Sequence, residues 1–325
     1  MDEATLSLDD MFLLLYCTID DLYREIVPNS IRRRSQHRRI AFSDSEVLTL
    51  SLMQEALSND SERSFHRFVQ KNYRHLFPRL LSRDRYHRMQ KYLHSKALWA
   101  VQALLLHHLS QRFAQEARWL VDDSAPIETV KFARSQSGRR SIPEAEYGYI
   151  PSEKRAFFGL RLHLLITDQG AVVGFALTAA NAPERDAAEG LLSEHAGQYI
   201  LGQGGYSGER FREAVSANEH QVLASPRPSQ RPATQAEARA RRWPRAKRDL
   251  IETVFAVLTD QFTLETTRGR SLWGVMTRLG AKLLAFNLST ELNQMPGRPA
   301  LAIKDSISNS TSRSNSASRS NVTTS

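Results

Sequence analysis

The sequence predicts an α/β protein, a mixed sheet flanked by helices, preceded by an all-helical N-terminal region. Three observations predict it. From residue 7 to about 115, apolar residues recur at helical spacing. From Trp119 onward, apolar runs of strand length alternate with helical segments in the order β, β, β, α, β, α, β, α. Hydrophobic residues make up 41% of the chain and charged residues 24%. Such a chain buries a core, which excludes disorder throughout. The 325 residues accommodate two domains, or one domain with arms.

The helical region is read element by element. Ser7-Leu8-Asp9-Asp10 has the form of a helix start, followed by Met11, Leu14, Leu15, Ile19 and Leu22, and Pro28 ends it. Ser43-Asp44-Ser45-Glu46 has the form of a capping box, with Val47, Leu50, Met53 and Leu57 on one face behind it. Residues 61–72 and 84–94 read as two short helices that are basic outside, through Arg63, Arg67 and Lys71, then Arg85, Arg88 and Lys91. A long helix runs from about Lys96 to Gln115. Short helices with basic faces are compatible with a helix-turn-helix module.

The pattern changes at Arg118. Trp119-Leu120-Val121-Asp122-Asp123-Ser124 is an apolar strand ending in acids. Leu160, Leu162, Leu164 and Ile166 keep strand period, Asp168-Gln169-Gly170 is a turn, and Ala171 to Thr178 returns as the second strand of a hairpin. Residues 183–195 read as a helix, 198–202 as a strand, 208–217 as a helix and 221–224 as a short strand. Arg248 to Phe262 is an amphipathic helix with Ile251, Val254, Phe255 and Leu258 on one face, and a last helix spans Ser271 to Leu288. The final stretch is rich in Ser, Thr and Asn and cannot pack a core. The resulting division is 1–116 helical and DNA-binding, 117–290 α/β, and 291–325 a disordered tail.

Composition narrows the function classes. One cysteine, Cys17, excludes an intramolecular disulfide and a Cys-rich zinc site; its apolar setting predicts a buried structural thiol. The opening Met1-Asp2-Glu3-Ala4 lacks the basic start of a signal peptide. The most apolar run, Ala97 to Leu106, is too short to span a bilayer. A cytoplasmic, nucleoid-associated protein without a membrane partner is expected. Lys and Arg number 44 against 35 Asp and Glu, a net charge of +9, which favours a polyanionic partner. The excess is clustered. Arg32, Arg33, Arg34, Arg38 and Arg39 form one cluster. Between Arg227 and Arg248 stand eight basic residues, Arg241, Arg242 and Arg248 among them, and one acid, Glu237. Either cluster is a solvated loop or a phosphate-binding surface; concentrated arginine favours the second, because it releases counterions and forks onto phosphates.

Three places invite chemistry. Asp123 stands at the end of its strand, where a carboxylate either holds a metal or caps the following turn. Glu252 abuts the apolar residues of its helix and either faces the sheet or is an ordinary boundary glutamate. Gly202-Gln203-Gly204-Gly205-Tyr206 is a glycine-rich turn, but without a Walker-type lysine and Ser/Thr it is a poor phosphate loop. His163 reads as a satisfied structural histidine, and Trp243 and Trp273 as packing residues.

In order and spacing, these segments resemble the bacterial insertion-sequence transposases of the DDE class, most closely the insertion-sequence nine-eighty-two family. The resemblance runs from about Asp10 to about Leu288. It is carried by Ser43 to Leu50, Asp60 to Phe65, Val121 to Ile127, Tyr147-Gly148-Tyr149 with Phe157 to His163, Thr178 to Asn181 with Glu184-Arg185-Asp186, Ile251 to Phe255, and Thr267-Arg268-Gly269. The resemblance implies an RNase H-like core and an acidic triad. It also implies two Mg²⁺ (or Mn²⁺) ions about 4 Å apart that activate the nucleophile and stabilise the leaving oxygen. It carries the first acid to Asp123 and the last to Glu252, both as metal ligands. Asp122 is aimed at the opposite face by strand alternation, and Arg248, one turn before Glu252, is placed to hold a phosphate. The second acid departs from the family pattern: Gln203 stands where the family has aspartate. A neutral amide is a poor Mg²⁺ ligand.

The implied activity is cleavage and strand transfer at the terminal inverted repeats of double-stranded DNA by a synaptic homodimer, with catalysis impaired at Gln203. A non-catalytic DNA-binding remnant is the alternative. A third reading is a nuclease or RNA-processing enzyme on the same fold.

Overall fold

The computed structural model describes residues 7–30, 32, 42–59, 61–94, 99–129, 142–151, 153–197, 199–201, 213, 216–222, 235–265, 267, 269 and 271–294. By spatial proximity the chain divides into two compact units, Met1–Leu106 with Gly280–Ser325, and His107–Leu279.

The first unit is helical. Helix α1 (Leu8–Ile26) opens on a capping box in which Ser7 and Asp10 satisfy each other's backbone N–H groups. Helix α2 (Asp44–Ala56) opens on a second, from Ser43 and Glu46. Helices α3 (Glu62–Asn72) and α4 (Arg83–His94) follow. Helix α2 was expected to bury one face. It is buried nearly all round, Leu48 and Leu52 as well as Val47, Leu50 and Met53, because it runs through the interior of the unit. Two of its polar residues are matched to α1: Tyr23 donates to Asp44 at 2.8 Å and Ser45 donates to Asp20 at 2.8 Å. Phe12 packs on Tyr73 and Phe77 beside it. Arg63, Arg67, Lys71, Arg85 and Arg88 are exposed, as their spacing predicts. Cys17 corrects its prediction: it is exposed, because α1 turns Phe12, Leu15, Ile19 and Leu22 inward and leaves Leu13, Leu14 and Cys17 outside.

Helix α5 (Trp99–Glu116) leads into the sheet. Its strands are β1 (Trp119–Glu128), β2 (Glu146–Ile150), β3 (Arg155–Thr167), β4 (Val172–Ala179), β5 (Tyr199–Leu201) and β6 (Gln221–Val222). The path is β2-β3-β1-β5-β6, with β4 also on β3. Strand β3 pairs antiparallel with β1, β2 and β4, while β1–β5 and β5–β6 are parallel. The sheet is mixed, as predicted. The β3–β4 hairpin turns at Gly170, whose φ of 86° suits glycine. Helix α6 (Glu184–Leu192) packs on β3 and β4, and α7 (Gln235–Phe262) on β1.

Several boundaries differ from the sequence reading. Strand β2 was missed and β3 begins five residues early. Helix α7 starts at Gln235 rather than Arg248, running through a stretch rich in Ala, Gln, Glu and Arg and across Pro244; the strong helix formers outweigh one proline. The last helix, α8 (Leu272–Gln294), includes residues 291–294, which were assigned to the tail. The helix expected over 208–217 and the tail from residue 295 lie wholly or largely outside the described residues. Among the described residues, no helix is long and apolar enough to cross a membrane.

Candidate functional site

Strand β1 carries the first candidate acid. It does not end there, as the apolar run implied: Asp123 is the fifth of ten residues, and the strand continues through Pro126 to Glu128. Its antiparallel partner β3 follows it all the way, from Leu120 opposite Thr167 to Glu128 opposite Gly159. Among the described residues its parallel partner β5 is registered against Trp119, Leu120 and Val121. Asp123 stands two residues beyond the last β5 pairing among the described residues. Alternation separates the two aspartates: Asp122 is 2% exposed, while Asp123 is half-buried. Asp123 Oδ1 accepts the N–H of Ser124 at 2.8 Å.

Ser124 opens onto a charged cluster that the sequence reading missed. Its hydroxyl donates to Glu184 Oε1 at 3.0 Å, and Arg161 donates to the same oxygen at 2.7 Å and to Ser124 Oγ at 3.2 Å. Three elements meet here: β1, β3 and the first turn of α6. Glu184-Arg185-Asp186 was visible as a motif, but its partner Arg161 became identifiable only from the β1–β3 register. His163, opposite Ser124 in that register, is fully buried. Its Nε2 meets Thr178 Oγ1 at 2.9 Å, while Nδ1 has no hydrogen-bond partner among the described residues. It is thus only half satisfied. Burial pushes its pKa down to about 4, partly opposed by the Glu184 carboxylate and reinforced by Arg161.

The second candidate acid, Glu252, lies on α7, which packs on β1. The helix turns Ile251, Val254 and Leu258 into the core, with Phe255 half-buried. Glu252, which the sequence leaves open between facing the sheet and an ordinary boundary position, is exposed, because it sits one residue past the buried Ile251 and so about 100° around the helix. Gln203 lies outside the described residues, as do Arg33 and Arg34. Arg241, Arg242 and Arg248 lie on the α7 backbone with side chains outside the described residues. Arg32 is described: its guanidinium donates to the carbonyl of Arg24 at 2.6 Å, closing the end of α1. Trp273 was expected to pack; it stays 43% exposed. Among the described residues, no three His, Cys, Asp or Glu side chains form a group that would hold a metal.

The family model described as transposase DDE domain matches residues 114–272, just under half of the chain. The matched stretch takes in the six described strands, α6, α7, Asp123 and Glu252. Comparison with curated proteins and with solved structures gives no match.

Proposed function

We propose that the chain is an insertion-sequence DDE transposase with a depleted acid set, so that it engages DNA ends but cleaves and joins them poorly. The observation that carries this reading is the transposase DDE domain match over 114–272, laid on a mixed sheet whose first strand holds Asp123. The strand arrangement supports an RNase H-like core: β1 lies between antiparallel β3 and parallel β5, with β4 and β6 outside them. The motif order supports the insertion-sequence nine-eighty-two family within the class.

Divalent ions, two Mg²⁺ or Mn²⁺ in an intact site, supply Lewis acidity for in-line phosphoryl displacement when bound. Asp123 and Glu252 are the residues assigned to hold them. The donor set does not fit two such ions. Two carboxylates bring two negative charges, and the third position offers the neutral amide of Gln203. Hard divalent cations rely on carboxylate charge for both neutralisation and positioning.

DNA engagement does not depend on that position. The exposed basic residues of α3 and α4 and the segments around Arg32, Arg33 and Arg34 and around Arg241, Arg242 and Arg248 are assigned to phosphates. Synapsis of two inverted-repeat ends assigns a homodimer. Gln203 also favours a second reading, a non-catalytic DNA-binding remnant. A cleavage and strand-transfer assay on the element's own ends with Mg²⁺ separates the two. Under the first reading Gln203→Asp restores cutting to a silent natural chain; under the second, neither cuts although both bind the ends. Efficient cutting by the natural chain contradicts both.

A further inference from the structure

Charge is segregated within the helical unit. Helix α1 carries five acids, Asp9, Asp10, Asp20, Asp21 and Glu25, and one cation, Arg24. From Glu62 to Arg88 the balance reverses: eight Lys and Arg stand against two acids, Glu62 and Asp84. All eight cations are exposed. Both acids are already engaged, Glu62 by His87 at 2.7 Å and Asp84 by Arg83 at 2.8 Å. Arg63, Arg67, Lys71, Arg74, Arg79 and Arg85 make no hydrogen bond or ion pair among the described residues. Uncompensated cations on so short a stretch repel one another, and a polyanion relieves that repulsion.

The two helices carry different chemistry. On α3, Arg63, Arg67 and Lys71 recur every four residues, about 6 Å apart along the axis, with no acid among them. Such a stripe fits a phosphate backbone and reads no sequence. Helix α4 differs. Tyr86 is its buried side, and Asp84, Arg85 and Arg88 lie away from it, within about 100° of one another. Arg83 holds Asp84 Oδ1 through Nε at 3.2 Å and Nη2 at 2.8 Å. Arg88 Nε donates to the Asp84 carbonyl at 3.2 Å. A carboxylate is repelled by phosphates, but in the major groove it accepts from cytosine N4, where arginine forks onto guanine O6 and N7. An acid fixed among arginines on an outer face therefore suits base edges better than a phosphate backbone.

The helix is also held firmly. Gln90 donates to Ser51 of α2 at 2.7 Å, and His66 of α3 meets the Leu81 carbonyl at 2.8 Å, just before α4 begins. His87 and Glu62 close the seam between α3 and α4, with Arg63 and Arg88 next in sequence on either side. Residues 73–82 link the two helices, longer than the turn of about 3–4 residues in a helix-turn-helix, so these side-chain contacts do the positioning. A helix about 10–12 Å across fits a major groove about 12 Å wide.

We infer that α4 enters the major groove of duplex DNA and reads G·C pairs through Asp84, Arg85 and Arg88, while the Arg63, Arg67 and Lys71 stripe of α3 holds the adjacent phosphates. The inference rests on the proposed DNA function and takes α4 beyond the phosphate contacts assigned to it there.

The test is selection by the full chain from a duplex pool randomised over about ten base pairs, one helical turn. Fluorescence anisotropy then compares the selected duplex with a scrambled one. The natural chain should enrich G·C pairs at fixed positions and prefer the selected duplex. Asp84→Ala and Arg88→Ala should each weaken the selected duplex about tenfold and leave the scrambled one nearly unchanged. Arg88→Lys, which keeps the charge and loses the fork, should lose the preference too. Arg67→Ala should weaken both duplexes alike and lower the salt slope by about one. Matching thermal melts certify that the variants fold. The assignment of α4 is overturned if the natural chain enriches no sequence, if the enriched positions hold no G·C pair, or if Arg88→Lys keeps the full preference. It is equally overturned if the α4 variants weaken both duplexes alike, which would put α4 on phosphates. Absence of salt-sensitive binding to either duplex by the natural chain sinks the DNA reading itself.

Discussion

In the helical unit Lys282 donates to Glu55 at 2.8 Å, with the lysine side chain fully buried and the carboxylate 6% exposed. In the sheet unit Arg161 meets Glu184 at 2.7 Å, with the guanidinium 16% and the carboxylate 48% exposed. The chemistry is the same and the environments are opposite. Shut away from water, the first pair has no access to a ligand, and each charge depends on the other for compensation. Beside the strand that carries Asp123, the second pair keeps contact with solvent, so separating it costs little. Burial of a charged pair marks architecture here, and partial exposure marks a region where another molecule has access.

Breaking the buried pair should have the largest effect. Lys282→Ala leaves Glu55 as an uncompensated buried charge and should cost about 3–5 kcal/mol, measured by denaturant unfolding. Replacing both partners by apolar residues of similar volume should recover most of that loss. A backbone contact in the sheet unit comes next. Gly159 faces Glu128 across the β1–β3 register, and a Cβ there would lie 2.1 Å from the carbonyl oxygen of Ile127. Gly159→Ala should cost about 1–3 kcal/mol through forced strand separation. Arg161→Ala should cost about 1 kcal/mol or less in stability, a small change in unfolding midpoint that sharpens the contrast with Lys282.

The last effect is a pH dependence. Burial holds His163 neutral, with its pKa lowered from 6.5 to about 4. Below its unfolded pKa the unfolded chain binds a proton that the folded chain refuses. Stability contributed by neutral His163 is therefore present above about 6.5 and is lost as pH falls from there towards about 4. His163→Gln should flatten that part of the stability–pH curve. An unchanged slope would show that other groups set it.

Much of this was legible in the sequence, for identifiable reasons. The helix start at Ser7 and the capping box at Ser43 are local chemistry, and both appear as read, the first also closed by a capping box. The β3–β4 hairpin announced itself by period and by Gly170. Strand β2 did not, because its outward residues are aromatic and one inward residue is glycine, the reverse of the pattern that marks a strand. The extent of β1 was hidden because it passes from full to partial burial at Asp123, so its apolar signal stops before the strand does. The Ser124–Arg161–Glu184 cluster depends on pairing between residues 37 and 60 positions apart, which local spacing does not reveal. Glu252 shows the limit from the other side: its helix was clear, but its exposure depended on which neighbours the helix turned inward.

The central claim is that Gln203 depletes the acid set, and metal binding tests it without requiring turnover. Mn²⁺ titration followed by electron paramagnetic resonance would compare the natural chain with Gln203→Asp, with Asp123→Asn as a control in each background. The account predicts weak Mn²⁺ binding by the natural chain. It predicts markedly tighter binding by Gln203→Asp, abolished when Asp123→Asn is added. Tight binding of two ions by the natural chain, unaffected by either change, would contradict the account and place any metal centre on other residues.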